Sequence, residues 1–253
     1  MFLEKLIRIN TRFISSIFNS LYDWLLPPCC ILCGYATHCS HNICIRCQQN
    51  LPILPNCCQQ CARFLPVVIN TVINTPLTCG ACLNNPPPFD RTYALFPYEP
   101  PITQLVINLK FQHQFSVAKA MGDLFIQKLQ VWYANQPLPD LIIPIPLHPK
   151  RLRERGYNQA LEIARPIANT FAIPIDYHSA KRIKHTFAQS SLVAADRKQN
   201  MENAFKISGD YSGLTIAVID DVITTGHTIT ECCKALKQHG AKHIDVWCCA
   251  RRG

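Results

Sequence analysis

Four pairs of cysteines and one acid-rich turn are the groups in this 253-residue chain whose types and spacing could do chemistry. The turn lies between Val218 and Thr228, in the run VIDDVITTGHT. An apolar stretch ends in two adjacent carboxylates, Asp220 and Asp221. A short loop, Thr224, Thr225, Gly226, His227 and Thr228, then opens a helix. The free backbone N–H groups of a helix start, with three threonine hydroxyls, can cradle a phosphate monoester, and Gly226 lets the backbone come close to it. Paired carboxylates one loop away accept hydrogen bonds from vicinal hydroxyls. Together these describe a ribose 5-phosphate. A threonine-capped helix with acids at its positive end would explain each piece alone, but not the ordered set.

The cysteines form C-x-x-C pairs at Cys30/Cys33, Cys44/Cys47, Cys58/Cys61 and Cys79/Cys82. Two intervening residues let both sulfurs face one ion about 2.3 Å away, and two such pairs complete a tetrahedral zinc site. Gaps of ten and seventeen residues, Cys33 to Cys44 and Cys61 to Cys79, suit two consecutive zinc ribbons with two structural Zn²⁺ ions. The expected pairing is first with second and third with fourth; the ten-residue gap from Cys47 to Cys58 leaves the other pairing open. A disulfide framework would use the same residues but needs an oxidising compartment. Charges at Glu4, Lys5, Arg8, Arg12 and Asp23 interrupt any signal-peptide core, so reduced thiols in a cytosolic chain are expected. Cys29 and Cys57 adjoin ligands and read as bystanders; Cys39, between His38 and His41, could substitute as a ligand, but the C-x-x-C pairs already suffice. Cys232, Cys233, Cys248 and Cys249 sit in helix- and strand-like apolar patterns and read as core.

The elements that must position these groups follow from hydrophobic patterning. Residues 1–26 read as an amphipathic helix packed on protein or, less simply, on a membrane or partner surface. Pro27 and Pro28 end it, residues 27–85 hold the zinc ribbons, and Asn-Asn-Pro-Pro-Pro at 84–88 is an extended linker. Beyond residue 90 helices and strands alternate: helices over 102–112, 116–134, 157–171 (bent or interrupted at Pro166) and 226–239; strands over 140–146, 173–177, 205–208, 214–221 and 243–250. This is an α/β pattern, a parallel sheet flanked by helices with its ligand site at the strands' carboxyl ends. Hydrophobic residues are 48% and charged residues 16%, which supports a packed core and excludes general disorder. No apolar run reaches the ~18 residues of a membrane span.

The VIDDVITTGHT run resembles the ribose-phosphate signature of type I phosphoribosyltransferases, whose usual substrate is phosphoribosyl pyrophosphate (PRPP) with Mg²⁺. The resemblance implies that Asp220 and Asp221 bind the ribose hydroxyls and that Thr224 to Thr228 hold the 5′-phosphate, His227 mainly through its backbone. The segment from Pro144 to Gln159, PIPLHPKRLRERGYNQ, leaves a strand as a basic loop. Lys150, Arg151, Arg153 and Arg155 have the cation density a pyrophosphate or a DNA phosphate needs. The stretch holding Arg182, Thr186, Gln189, Ser190 and Arg197 resembles a flexible loop that closes over reactants and excludes water. With the double zinc ribbon and the stretch from Tyr98 to Leu109-Lys110-Phe111, these segments resemble the ComF family from about Leu25 to Cys249. That resemblance implies a phosphoribosyltransferase-like domain over 90–253 behind the ribbon module. It also implies a cytoplasmic factor, peripheral at the inner membrane at most, that handles incoming single-stranded DNA in natural transformation, with DNA-uptake machinery or a helicase as partner.

The net charge is +9, and residues 148–198 carry ten Lys/Arg against four Asp/Glu. Basic groups near His148, Tyr157, His185 and Phe187 could track a nucleic-acid backbone and stack bases; they could equally grip one pyrophosphate. The alternative to a binding factor is an active phosphoribosyltransferase that transfers the ribosyl C1 to a nucleobase or other nitrogen acceptor. No residue stands out as its general base.

Overall fold

The computed structural model describes residues 29–36, 42–66, 77–184 and 204–253. The 1–26 helix, Cys39 with its flanking histidines, and Thr186, Gln189, Ser190 and Arg197 lie outside them. The chain divides into two compact units, residues 1–50 and 51–253.

In the first unit, Cys30 and Cys33 lie in a tight turn closed by Gly34 N–H to Cys30 O (2.8 Å) and Cys30 N–H to Tyr35 O (2.8 Å). The second pair begins helix α1 (Ile45–Gln49), with Cys44 at its N-cap. The second unit repeats this plan. Cys58 and Cys61 lie in a turn closed by Ala62 N–H to Cys58 O (2.7 Å) and Cys58 N–H to Arg63 O (2.9 Å). Cys79 caps α2 (Gly80–Asn84), which carries Cys82. Cys29 bridges Ala36 and Cys57 bridges Phe64, so these two cysteines hold the turns closed through their backbones.

The rest of the second unit is built on a four-stranded parallel sheet: β1 (Arg91–Pro97), β2 (Leu141–Pro144), β5 (Thr215–Ile223) and β6 (His243–Arg251), in the order β1-β6-β5-β2. Its helices are α3 (Ile102–Phe111), α4 (Phe115–Trp132), α5 (Pro149–Arg155), α6 (Gln159–Phe171) and α7 (His227–Gln238). A small antiparallel pair, β3 (Ala180–Arg182) and β4 (Phe205–Ile207), stands apart from the sheet. Alternation along the strands separates two buried faces. Ile216, Val218, Ile244, Val246 and Cys248 pack with Ile229, Cys232, Cys233 and Leu236 of α7. On the other face Trp247 stacks near Phe125 of α4 (6.4 Å between centroids), and its indole donates to the Tyr133 hydroxyl (3.2 Å). The four late cysteines are therefore core residues, as their pattern indicated.

Several expectations are corrected. Residues 149–155 form helix α5, not a loop: Pro149 starts it, His148 Nδ1 accepts from Lys150 N–H (3.2 Å), and Gly156 ends it at φ 75°. Helix α6 runs through Pro166 without interruption. Residues 173–177 contribute one bridge, Ile142 to Ile175, rather than a strand. Strand β1 is not marked by alternation, because it is buried along nearly its whole length.

Candidate functional site

Strand β5 carries Asp220 and Asp221 to the carboxyl edge of the sheet. Because successive residues of a strand point to opposite faces, their surroundings differ. Asp221 is buried and paired with Lys110 Nζ of α3 at 3.0 Å. Asp220 accepts the Asp221 backbone N–H at 2.9 Å. Burial, and then the adjacent Asp221 carboxylate, push the Asp220 carboxyl up to about 7.

A cavity of about 130 Å³ opens over this pair. Its walls include Asp220, Asp221 and Thr228, together with Lys110, Arg151, Arg155 and Arg182. Arg151 and Arg155 are four residues apart, so they share one face of α5; Lys150 and Arg153 point to solvent and do not line the cavity. Arg155 is braced by Gln159 Oε1 (3.0 Å) and lies over the Phe111 ring (5.4 Å). Burial lowers the pKa of Arg151, with Arg155 adding to the effect, and burial likewise lowers that of Arg182, with Arg151 adding to it. Cations crowded in this way gain most from a polyanion. Asn158 sets the wall in place: its Oδ1 caps α6 at Ala160 N–H (3.0 Å) while its amide donates to Ile145 O (2.9 Å).

The loop after β5 is shaped for an anion. Gly226 has φ 85° and caps α7 with no side chain. Among the described residues, the backbone N–H groups of 224 to 228 donate to no protein acceptor. The loop has two flanks. Thr228 faces the acid pair, whereas Thr225, Gly226 and His227 line a separate cleft of about 730 Å³ shared with Cys61, Cys82, Pro86 to Pro88 and Arg251. Four of the five expected 5′-phosphate residues are thus divided between two cavities, and Thr224 lines neither.

The metal ligands group as expected, Cys30, Cys33, Cys44 and Cys47 in one set and Cys58, Cys61, Cys79 and Cys82 in the other, each with its sulfurs within 4.8 Å of one another. A tetrahedron with metal–sulfur bonds of about 2.3 Å has edges of about 3.8 Å. Cys33 and Cys44 Sγ are 3.8 Å apart, and Cys61 and Cys79 Sγ 3.7 Å. Both sets therefore fit zinc. Burial opposes ionisation of Cys30 and Cys79, but hydrogen bonds outweigh it: the backbone N–H groups of Cys44, Cys33 and Leu32, with the Cys33 thiol, pull Cys30 down to about 6, and the Cys82 N–H with the thiols of Cys82, Cys61 and Cys58 pull Cys79 down to about 7. A thiolate in each set is thus available to a metal at neutral pH.

Comparison with known proteins agrees with this layout. Residues 21–83 match the double zinc ribbon domain and residues 158–253 the phosphoribosyl transferase domain. The chain is 34% identical to DNA utilization protein YhgH of Salmonella typhi over 89% of its own length and 98% of the relative's. It is also 34% identical to Competence protein F of Haemophilus influenzae, over 88% and 96% of the two chains. The chain belongs to the ComF family. Among solved structures, a purine phosphoribosyltransferase from Pyrococcus horikoshii is 20% identical, covers 53% of this chain and 73% of its own, and gives a TM-score of 0.34. The ComF-family chain thus combines an N-terminal double zinc ribbon with a phosphoribosyltransferase-type parallel sheet. Its site also uses two residues whose roles the sequence does not reveal. Lys110 reaches Asp221, and Gln159 the wall of the same cavity, only through the approach of α3 and α6, which no local spacing announces. Among the described residues no helix is long and apolar enough to cross a membrane.

Proposed function

We propose that this ComF-family chain is a competence-associated factor that binds PRPP with Mg²⁺ and handles single-stranded DNA during natural transformation. The observation that carries this reading is the single cavity joining Asp220, Asp221 and Thr228 to Lys110, Arg151, Arg155 and Arg182. Carboxylates that accept from ribose hydroxyls sit opposite guanidinium groups that can hold a pyrophosphate. The N–H-rich loop at 224–228 supplies donors for the 5′-phosphate. Arg151 and Arg155 would hold the pyrophosphate, and a bound Mg²⁺ would share its charge. Residues 27–85 act as the zinc module and 90–253 as the PRPP-binding domain; Thr186, Gln189, Ser190 and Arg197 belong to the loop that closes over it. The exposed Lys150 and Arg153, outside the cavity, are free for DNA phosphates, and the competence and DNA-utilization relatives supply the biological setting. The protein acts in the cytoplasm, peripheral at the inner membrane at most, alongside DNA-uptake machinery or a helicase.

A second reading, ribosyl transfer to a nucleobase or other nitrogen acceptor, has one observation in its favour. A cavity of about 320 Å³ lined by Lys110, Phe111, His113, Arg151, Glu154 and Arg155 adjoins the acid pair's cavity, sharing Lys110, Arg151 and Arg155 with it. It offers a planar acceptor an aromatic wall. Calorimetric titration with PRPP, repeated with single-stranded DNA present, separates the readings. PRPP binding coupled to DNA binding without turnover supports the DNA factor, pyrophosphate release with an added base supports the enzyme, and no PRPP binding refutes both.

A further inference from the structure

Arg251 is 3% exposed and belongs to none of the groups assigned above. It ends β6 between the second cysteine set and the loop after β5. Its Nε donates to the carbonyl of Cys61, a metal ligand, at 3.0 Å. One terminal nitrogen faces the carbonyls of Ile223 (3.0 Å), Thr224 and Arg252 (2.9 Å). All of these partners are backbone oxygens. A guanidinium this buried needs compensating negative charge, and a Zn²⁺ ion held by four thiolates supplies it, because the loaded site carries two more negative than positive charges.

The geometry has a consequence for the loop. In a trans peptide the C=O and the N–H of the same unit point in opposite directions. Holding the Ile223 and Thr224 carbonyls against Arg251 therefore directs the N–H groups of Thr224 and Thr225 away from it. Those N–H groups have no protein acceptor. Thr92 adds a second tie between the cysteine turn and the sheet: its hydroxyl donates to Gln60 O (2.7 Å) and its N–H to Gln59 O (3.0 Å).

We infer that Arg251 is a positioning residue through which the second zinc site holds the 224–226 backbone in its anion-binding conformation, so that zinc occupancy there sets phosphate affinity. The inference rests on the phosphate reading of the loop and adds its control by the zinc module. It assigns the second ribbon a role beyond its own folding.

The test compares the full-length wild type with Arg251→Lys, which keeps the charge but cannot span the same carbonyls, and with Cys82→Ser, which removes one ligand of the second site. Bound zinc, amide hydrogen exchange across 222–229 and calorimetric affinity for ribose 5-phosphate are measured for each. Arg251→Lys keeps both zinc ions, exchanges faster at 222–229 than in the rest of β5 and β6, and binds ribose 5-phosphate about tenfold more weakly, the loss expected for a charged hydrogen bond. Cys82→Ser loses one zinc and shows the same two changes. A folded Arg251→Lys protein with wild-type exchange at 222–229, or with faster exchange spread evenly through the sheet, overturns the inference. If Cys82→Ser does not fold, Arg251→Lys decides alone. If the wild type ignores ribose 5-phosphate while 222–229 still responds locally to Arg251→Lys, the phosphate reading fails and the zinc-to-loop link stands.

Discussion

Asp220 and Asp221 are neighbours in sequence with different work to do. Asp221 is neutralised by Lys110 at 3.0 Å, whereas Asp220 is raised from its ordinary 3.8 to about 7 by burial and by Asp221. An acid whose folded pKa is raised adds stability at low pH and loses it as pH climbs toward that folded value. Asp220→Asn, which removes a charge the fold resists, should therefore raise the melting temperature by a few degrees at pH 8, by about a third as much at pH 5, and hardly at all below the ordinary carboxylate pKa of 3.8; thermal melts across this pH range check this. The same ionisation makes Asp220 a better acceptor for ribose hydroxyls. PRPP affinity should rise between pH 6 and pH 8, and the Asn variant should flatten that rise beyond what PRPP's own titration produces. The acid pair and the threonine loop were legible in the sequence because adjacency and a strand-to-helix switch are local signals. Lys110 was not, since its contact with Asp221 spans more than a hundred residues and follows from where α3 packs.

At the scale of elements, helix α5 sorts the basic segment by its period. Arg151 and Arg155 face the acids, and Lys150 and Arg153 face solvent. Arg155→Ala should weaken PRPP binding by about tenfold, as for a charged hydrogen bond removed, whereas Arg153→Ala should leave PRPP affinity unchanged. If α5 also meets DNA, Arg153→Ala should reduce DNA affinity and its salt slope by about one charge; titrations at several salt concentrations separate the two effects. Four cations in six residues were visible beforehand, but the division among them needed the helix. The passage of α6 through Pro166 has a similar origin. A Cβ added to Gly122 of α4 would fall 2.2 Å from Pro166 Cγ, so the missing side chain of one helix receives the proline ring of the other. Gly122→Ala should wedge the pair apart and cost about 1–3 kcal/mol, read by denaturant unfolding. Proline rules alone predicted a break because they cannot see the opposite helix.

For the whole molecule, metal content is the simplest check. Chelation should release about two zinc equivalents, measured by a colorimetric dye, and melt the cysteine turns; one equivalent or none would refute the double site. The cysteine spacing made both sites readable in advance, and each turn's closure by the same pair of backbone bonds explains why the C-x-x-C rule works twice. The sheet's strand order carries a different consequence, about time. Among the described strands β1 pairs only with β6, which lies about 150 residues later in the chain. On the ribosome the cysteine turns and β1 emerge early, β5 and its loop much later, and β6 last of these strands. A nascent chain that has reached Thr228 but not Arg251 has its cysteine turns made and its anion loop translated, yet lacks the guanidinium that joins them. The loop is thus among the last parts of the protein to acquire its working shape.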